Sequence, residues 1–192
     1  MPPYCQNAPK LAVNRSIQSR MNTKRTPLKT LALSAIGLTM IAGFEGYRER
    51  AYNDGAGVQT IGYGTTRYTS GQVVKTGDRI TPDRALIELA ASADEHQKRL
   101  AKCITVPLAQ REWDALVSWA YNVGTSAACN STLVRKLNAG DYTVPCTELP
   151  KWNKAGGRVL AGLVKRRAAE AEMYGCNDVA NFEKQLERDA AK

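Results

Sequence analysis

The sequence predicts an α+β chain that is mostly α, with one small β-hairpin wing. Three observations carry this. After residue 80, apolar positions recur at helical spacing in one segment after another. Residues 47–66 instead read as short strands around glycine-containing turns. The 192 residues are 43% hydrophobic and 23% charged, the balance of a globular protein with enough chain for one domain of roughly 150 residues plus an extension. No internal repeat or low-complexity tract interrupts it.

Residues 1–27 read as a basic leader. Residues 1–20 show no sustained period, and Met21 is followed by Asn-Thr-Lys-Arg-Thr-Pro, which looks like a fresh N-terminus: Met21 would be the true start and residues 1–20 upstream sequence or a disordered tail. Residues 28–44 form an apolar segment, of which residues 31–44 are uncharged. This is short for a membrane span and suits a signal core or a buried helix. Ile36, Met40, Ile41 and Phe44 recur at helical spacing and would deliver Glu45 into a cleft. Asp54-Gly55 is a strong turn dipeptide between the two strands of the wing. Thr81 and Pro82 then mark a helix start that runs to about residue 101, with Glu88, Asp94 and Glu95 off its apolar face. Residues 107–121 form a helix built on Leu108, Trp113, Leu116, Val117 and Ala120. Residues 131–138 form another, ending near Gly140. Residues 146–152 form a short third. A glycine break at residues 155–158 precedes a last helix over residues 160–174, and residues 177–192 form a polar tail.

The net charge is +9. Residues 1–44 supply six of those excess positive charges and contain no acid. The body of the chain is therefore only mildly basic, and it lacks the aromatic-studded basic stripe of a single-strand binder. A nucleic-acid partner is set aside on those grounds. Cys5, Cys103, Cys129, Cys146 and Cys176 contain no CxxC pair, and His96 is the single histidine, so no metal site is expected. Cys103, Cys129, Cys146 and Cys176 are either buried thiols or two disulfides formed after export; three pairings are open.

The chemistry concentrates in FEGYRERAYNDGAGVQTIGYG, residues 44–64. Glu45 follows an apolar segment, where desolvation favours a protonated carboxyl able to act as a general acid. Asp54 sits at a turn, hydrated and ionised, able to direct water or stabilise positive charge. Thr60 offers a hydroxyl beside it. Taken singly, each has an ordinary reading: a helix-end Glu, a turn Asp and a β-branched strand residue.

Together the spacing Glu-x8-Asp-x5-Thr and its glycine pattern resemble the signature of phage-type lysozymes, glycoside hydrolase family 24. The resemblance continues through DALVSWAYNVG (residues 114–124), STLVRKLNAGD (131–141), Trp152 with Gly156-Gly157, and GLVKRR (162–167). It spans about residues 34–175, so a catalytic domain is drawn over residues 34–176. It implies a two-lobed lysozyme-like fold, and cleavage of the β-1,4 bond between N-acetylmuramic acid and N-acetylglucosamine in peptidoglycan. It also implies no cofactor, a monomer, and host lysis as an endolysin. Glu45 would be the general acid, and Asp54 with Thr60 would position water. Tyr121, Thr132 and Thr66 fall where family members contact the sugar chain. Thr65-Thr66 replaces a His that many members carry after the Gly62-Tyr63-Gly64 turn, which implies altered structural support rather than lost activity. Arg166 and Arg167 read as a helix-surface pair, with contact to peptide carboxylates or to Glu45 as the alternative.

Some enzymes of this kind use a signal-arrest-release segment. The apolar stretch would then first tether the enzyme to the inner membrane of a Gram-negative host, facing the periplasm, and later become the first helix. The alternative is retention in the host cytoplasm until a holin acts; with an exported enzyme the holin acts indirectly. A lytic transglycosylase, or a non-catalytic wall-binding protein of the same fold, are the competing functions. The former needs one catalytic Glu and leaves Asp54 and Thr60 without a role.

Overall fold

The computed structural model describes residues 24–54 and 57–176. The candidate start at Met21, most of the basic leader and the polar tail at residues 177–192 lie outside the described residues. Among the described residues the elements run α1 Ala35–Glu45, β1 Arg48–Asn53, β2 Gln59–Gly62, α2 Pro82–Leu100, α3 Gln110–Val123 and α4 Thr125–Cys129. They continue with α5 Thr132–Asn138, α6 Val144–Glu148, β3 Lys154–Ala155, β4 Arg158–Val159 and α7 Ala161–Tyr174. The mostly helical α+β architecture with a small wing is what the sequence predicts.

Helix α3 is the axle. Every residue from Glu112 to Ala120 is buried, because α1, α2 and α7 pack around it. Trp113 and Trp119 fill the space between them, and each large side chain withdrawn from water contributes about 2–3 kcal/mol. A second, smaller core of Ile61, Val74, Ile80 and Ala85 lies under the wing. The two cores give the molecule its two lobes, with α2 contributing Leu89 and Ala93 to one and Ala85 to the other.

Helix α1 starts at Ser34, whose Oγ accepts from the Gly37 amide at 3.2 Å and donates to Asp114 Oδ2 at 2.6 Å. That couples the cap to the first turns of α3. Gly37 allows the close approach: a Cβ there would fall 3.0 Å from Asp114 Cβ. The buried stripe is Gly37 and Ile41. Ile36, which the periodicity places on the core face, is 72% exposed. The segment is apolar on all sides, so its period could not say which side packs. At 11 residues α1 is short of a bilayer, and no helix among the described residues is long and apolar enough to cross a membrane.

The wing pairs β1 and β2 antiparallel, with Tyr52 opposite Thr60 and a bulge between Arg48 and Tyr52. Several other features depart from the sequence expectation. Glu88 is buried rather than solvated: its carboxylate accepts the Thr69 amide at 2.7 Å and Arg84 Nη2 at 2.6 Å, tying the loop after the wing to α2. The glycine break is a second hairpin, β3 with β4, turned by Gly156 and Gly157 at φ 56° and 77°. Two-residue strands are too short to show a period, but paired positive φ values are what Gly-Gly supplies. Helix α4, five residues long, escaped for the same reason. The expected helix over residues 146–152 starts earlier, at Val144, and tightens into a 3-10 turn at Leu149–Lys151.

Residues 24–27, read as leader, are docked. Thr26 bridges Leu108, and the Arg25 guanidinium forks onto buried Glu112 with contacts of 2.7–3.1 Å while lying 3.8 Å over the Tyr142 ring. Cys103 joins Cys129 and Cys146 joins Cys176, across sequence separations of 26 and 30. Loops of that length lose enough unfolded-state entropy for each bond to contribute about 3 kcal/mol.

Candidate active site

Glu45 is the last residue of α1, and Gly46 at φ 72° turns the chain directly into the wing. Its side chain stands at the junction of the two lobes and is 24% exposed. Carboxylate Oε1 accepts from Arg166 Nη1 at 2.8 Å. On the other oxygen's side lies Gly64, where a Cβ would sit 3.8 Å from Oε2. Gly64 has φ 91°, a backbone region that penalises any other residue, so the wing closes on Glu45 without a side chain in between.

A cleft cavity of about 430 Å³ opens beside this point. Gly64, Thr66, Arg67 and Tyr68 line the wing side, Ser92 and Glu95 the α2 side, and Tyr121 the α3 side. Thr66 and Tyr121 thus meet in one cleft, next to Glu45's neighbour Gly64. Burial pushes the Tyr121 phenol up, which keeps it a neutral donor. Its ring packs on His96 at 4.7 Å.

Asp54 follows β1 in an exposed turn. Its Oδ1 accepts the Val58 amide at 3.1 Å, and its own amide donates to the Val58 carbonyl at 3.1 Å. The turn therefore orients the carboxylate. Thr60 is 5% exposed, and its hydroxyl donates to the Val58 carbonyl at 3.4 Å. Asp54 in the wing turn and Thr60 in β2 both lie outside the cavity walls. Thr132 also lies outside that lining. It opens α5 and accepts from Arg135 Nη2 at 3.2 Å.

Arg166 meets Glu45, the alternative that the sequence left open, and the surface-pair reading of Arg166 and Arg167 is overturned. They are 4% and 0% exposed, not a surface pair. Both point from α7 into the interior, onto Glu170, itself 0% exposed. Burial pushes the Glu170 carboxyl up and the Arg167 guanidinium down to about 10, so Arg167 remains a cation at neutral pH. Sequence reasoning missed this group as a unit. The readable signal was Glu170 placed four and three residues after two arginines, on one face of a helix.

A family model described as Phage lysozyme matches residues 42–170. The chain belongs to the phage lysozyme family. The endolysin of Acyrthosiphon pisum secondary endosymbiont phage 1 is 40% identical over 146 residues, covering 74% of this chain and 97% of that one. The SAR-endolysin of Pseudomonas phage phiKMV is 38% identical over 148 residues, covering 75% and 88%. Among solved structures, the endolysin from Escherichia coli O157:H7 phage FAHEc1 superposes with a TM-score of 0.71 at 38% identity, covering 80% of this chain and 97% of that chain. The protein is thus a lysozyme, a muramidase that acts on peptidoglycan.

Proposed function

We propose that this lysozyme cleaves the β-1,4 bond from N-acetylmuramic acid to N-acetylglucosamine with Glu45 as general acid, and Asp54 with Thr60 directing water. The observation that carries the reading is the position of Glu45 at the lobe junction beside Gly64. Arg166 can only donate, so Oε1, which accepts from it, does not carry a proton on that side. The transferable proton therefore belongs on Oε2, the oxygen on the Gly64 side. Asp54 lies exposed in its turn with its carboxylate oriented by the Val58 amide, a setting that suits a base or electrostatic partner. Tyr121 and Thr66 are assigned to sugar binding from their place in the cleft; Thr132 is assigned from its sequence position alone. Digestion of peptidoglycan by the full chain in oxygen-18 water tests the reaction. Label in reducing muramic acid is expected. Unlabelled anhydro products would mean a transglycosylase, and absence of products from folded protein would mean a wall-binding role.

We further propose that residues 31–44 serve as a releasable membrane anchor before they serve as α1, giving a periplasmic enzyme tethered to the inner membrane. The basic flank Lys24, Arg25 and Lys29, the uncharged run, and a SAR-endolysin relative of 38% identity support this. Inserting two arginines into residues 31–44 is expected to abolish membrane association. A wild-type protein found only in cytosol until a holin acts would sink the proposal.

A further inference from the structure

We propose that Glu170 is a positioning residue for the lysozyme reaction: by fixing Arg166, it sets the orientation of the Glu45 carboxyl. The inference rests on Glu45 being the acid. Each side of the Arg166 guanidinium is committed. Nη1 donates to Glu45 at 2.8 Å, Nη2 to the Ser118 carbonyl at 3.1 Å, and Nε to Glu170 Oε1 at 3.1 Å. Two of those acceptors lie on the floor of the lobe, and one is the acid. The Phe44 ring covers the guanidinium, 5.1 Å from Cζ.

Glu170 is held as firmly. Ser118 Oγ donates to Oε1 at 2.8 Å, Arg167 Nη2 donates to Oε1 at 3.1 Å, and Arg167 Nε lies 2.8 Å from Oε2. Arg167 Nη2 also donates to Asn122 Oδ1 at 3.0 Å. The chain of contacts thus runs from α3 through Glu170 and Arg166 to the last residue of α1.

Glu45 ends its helix at a glycine, so the backbone beyond it gives its side chain little support. Oε1 is held by Arg166, and where Arg166 points decides where Oε2 and its proton point. If Glu170 only neutralised Arg167, it would matter for stability alone. The geometry assigns it more, because its Oε1 is the charged one of the two acceptors, with the Ser118 carbonyl, that hold the Arg166 head against Glu45. Gln at this position removes the negative charge and must turn its amide NH2 toward a guanidinium. That is Arg167 Nε if its oxygen keeps the Oε1 place, and Arg166 Nε and Arg167 Nη2 if it does not. Either way the charge-assisted hold on Arg166 is weakened.

The test uses the purified full chain, with kcat and KM measured on soluble peptidoglycan fragments well below each variant's melting midpoint. Glu170→Gln is expected to lower kcat about tenfold while KM stays within about twofold, since small displacements of a reacting group cost rate rather than ground-state binding. In an Arg166→Gln background, Glu170→Gln is expected to cost no further kcat, because both changes break one linkage. Unchanged kcat in folded Glu170→Gln, or losses that multiply in the double variant, would overturn the proposal. If Glu170→Gln does not fold, Ser118→Ala keeps every charge and removes one donor to Glu170. A loss of about threefold in kcat at constant KM is then expected, and unchanged kcat overturns the proposal. Glu45→Gln in the same assay separates the two levels. Turnover retained there defeats the acid assignment; turnover lost there but kept in Glu170→Gln defeats only this inference.

Discussion

Glu45→Gln is expected to reduce turnover by about 10²–10⁴, the range a positioned general acid supplies, without unfolding the protein. Gln keeps an oxygen for Arg166 Nη1, so the 2.8 Å contact survives. Arg166 is not left as an unpaired buried charge, because Glu170 Oε1 remains 3.1 Å from its Nε. The melting midpoint should therefore shift by only a few degrees, equivalent to about 1 kcal/mol. What the substitution removes is the proton that the proposed mechanism places on the Gly64 side. Release of reducing muropeptides, measured alongside a thermal melt, checks both halves of the expectation. A variant that folds and still turns over would remove Glu45 from the mechanism. One that binds peptidoglycan without cleaving it would show that the cleft and the acid are separable.

Arg167→Leu is expected to be the most damaging single change to stability, costing about 3–5 kcal/mol. Breaking a buried ion pair leaves the partner's charge out of water: Glu170 is 0% exposed, and although Arg166 stays on its Oε1, its Oε2 loses the Arg167 cation. Asn122 Oδ1 loses a donor as well. For a chain of this size that is a drop in the melting midpoint of roughly 10 °C. The contrast is Arg79→Ala. Arg79 pairs with Glu49 at 3.0 Å, but both side chains are more than half exposed, and a pair in water contributes about 0–1 kcal/mol. Equal shifts for the two variants would mean that water reaches the Arg167 site.

The helices were legible where their apolar period was one-sided and long. Helix α2 starts at Pro82 and α7 ends before Gly175, as the residue types require. The wing was legible because Asp-Gly and repeated glycines have few other uses. The short hairpin at Gly156-Gly157 and helix α4 were not, since neither is long enough to display a period. Glu88 was read off the apolar face, and Arg166 with Arg167 as a surface pair, because charged residues are usually solvated; Glu170 was not singled out. Their burial follows from partners far along the chain: Glu45 for Arg166, and Thr69 for Glu88.

By itself the sequence determined the fold class, the family and the stretch that carries the candidate acid. Those depend on residue type and local spacing. Only the tertiary structure decided which face of α1 is buried, which cysteines pair, which side of Glu45 meets Arg166, and that Tyr121 and Thr66 share a cleft. These depend on where separate segments meet. That meeting is set by packing around α3, and local spacing carries no record of it.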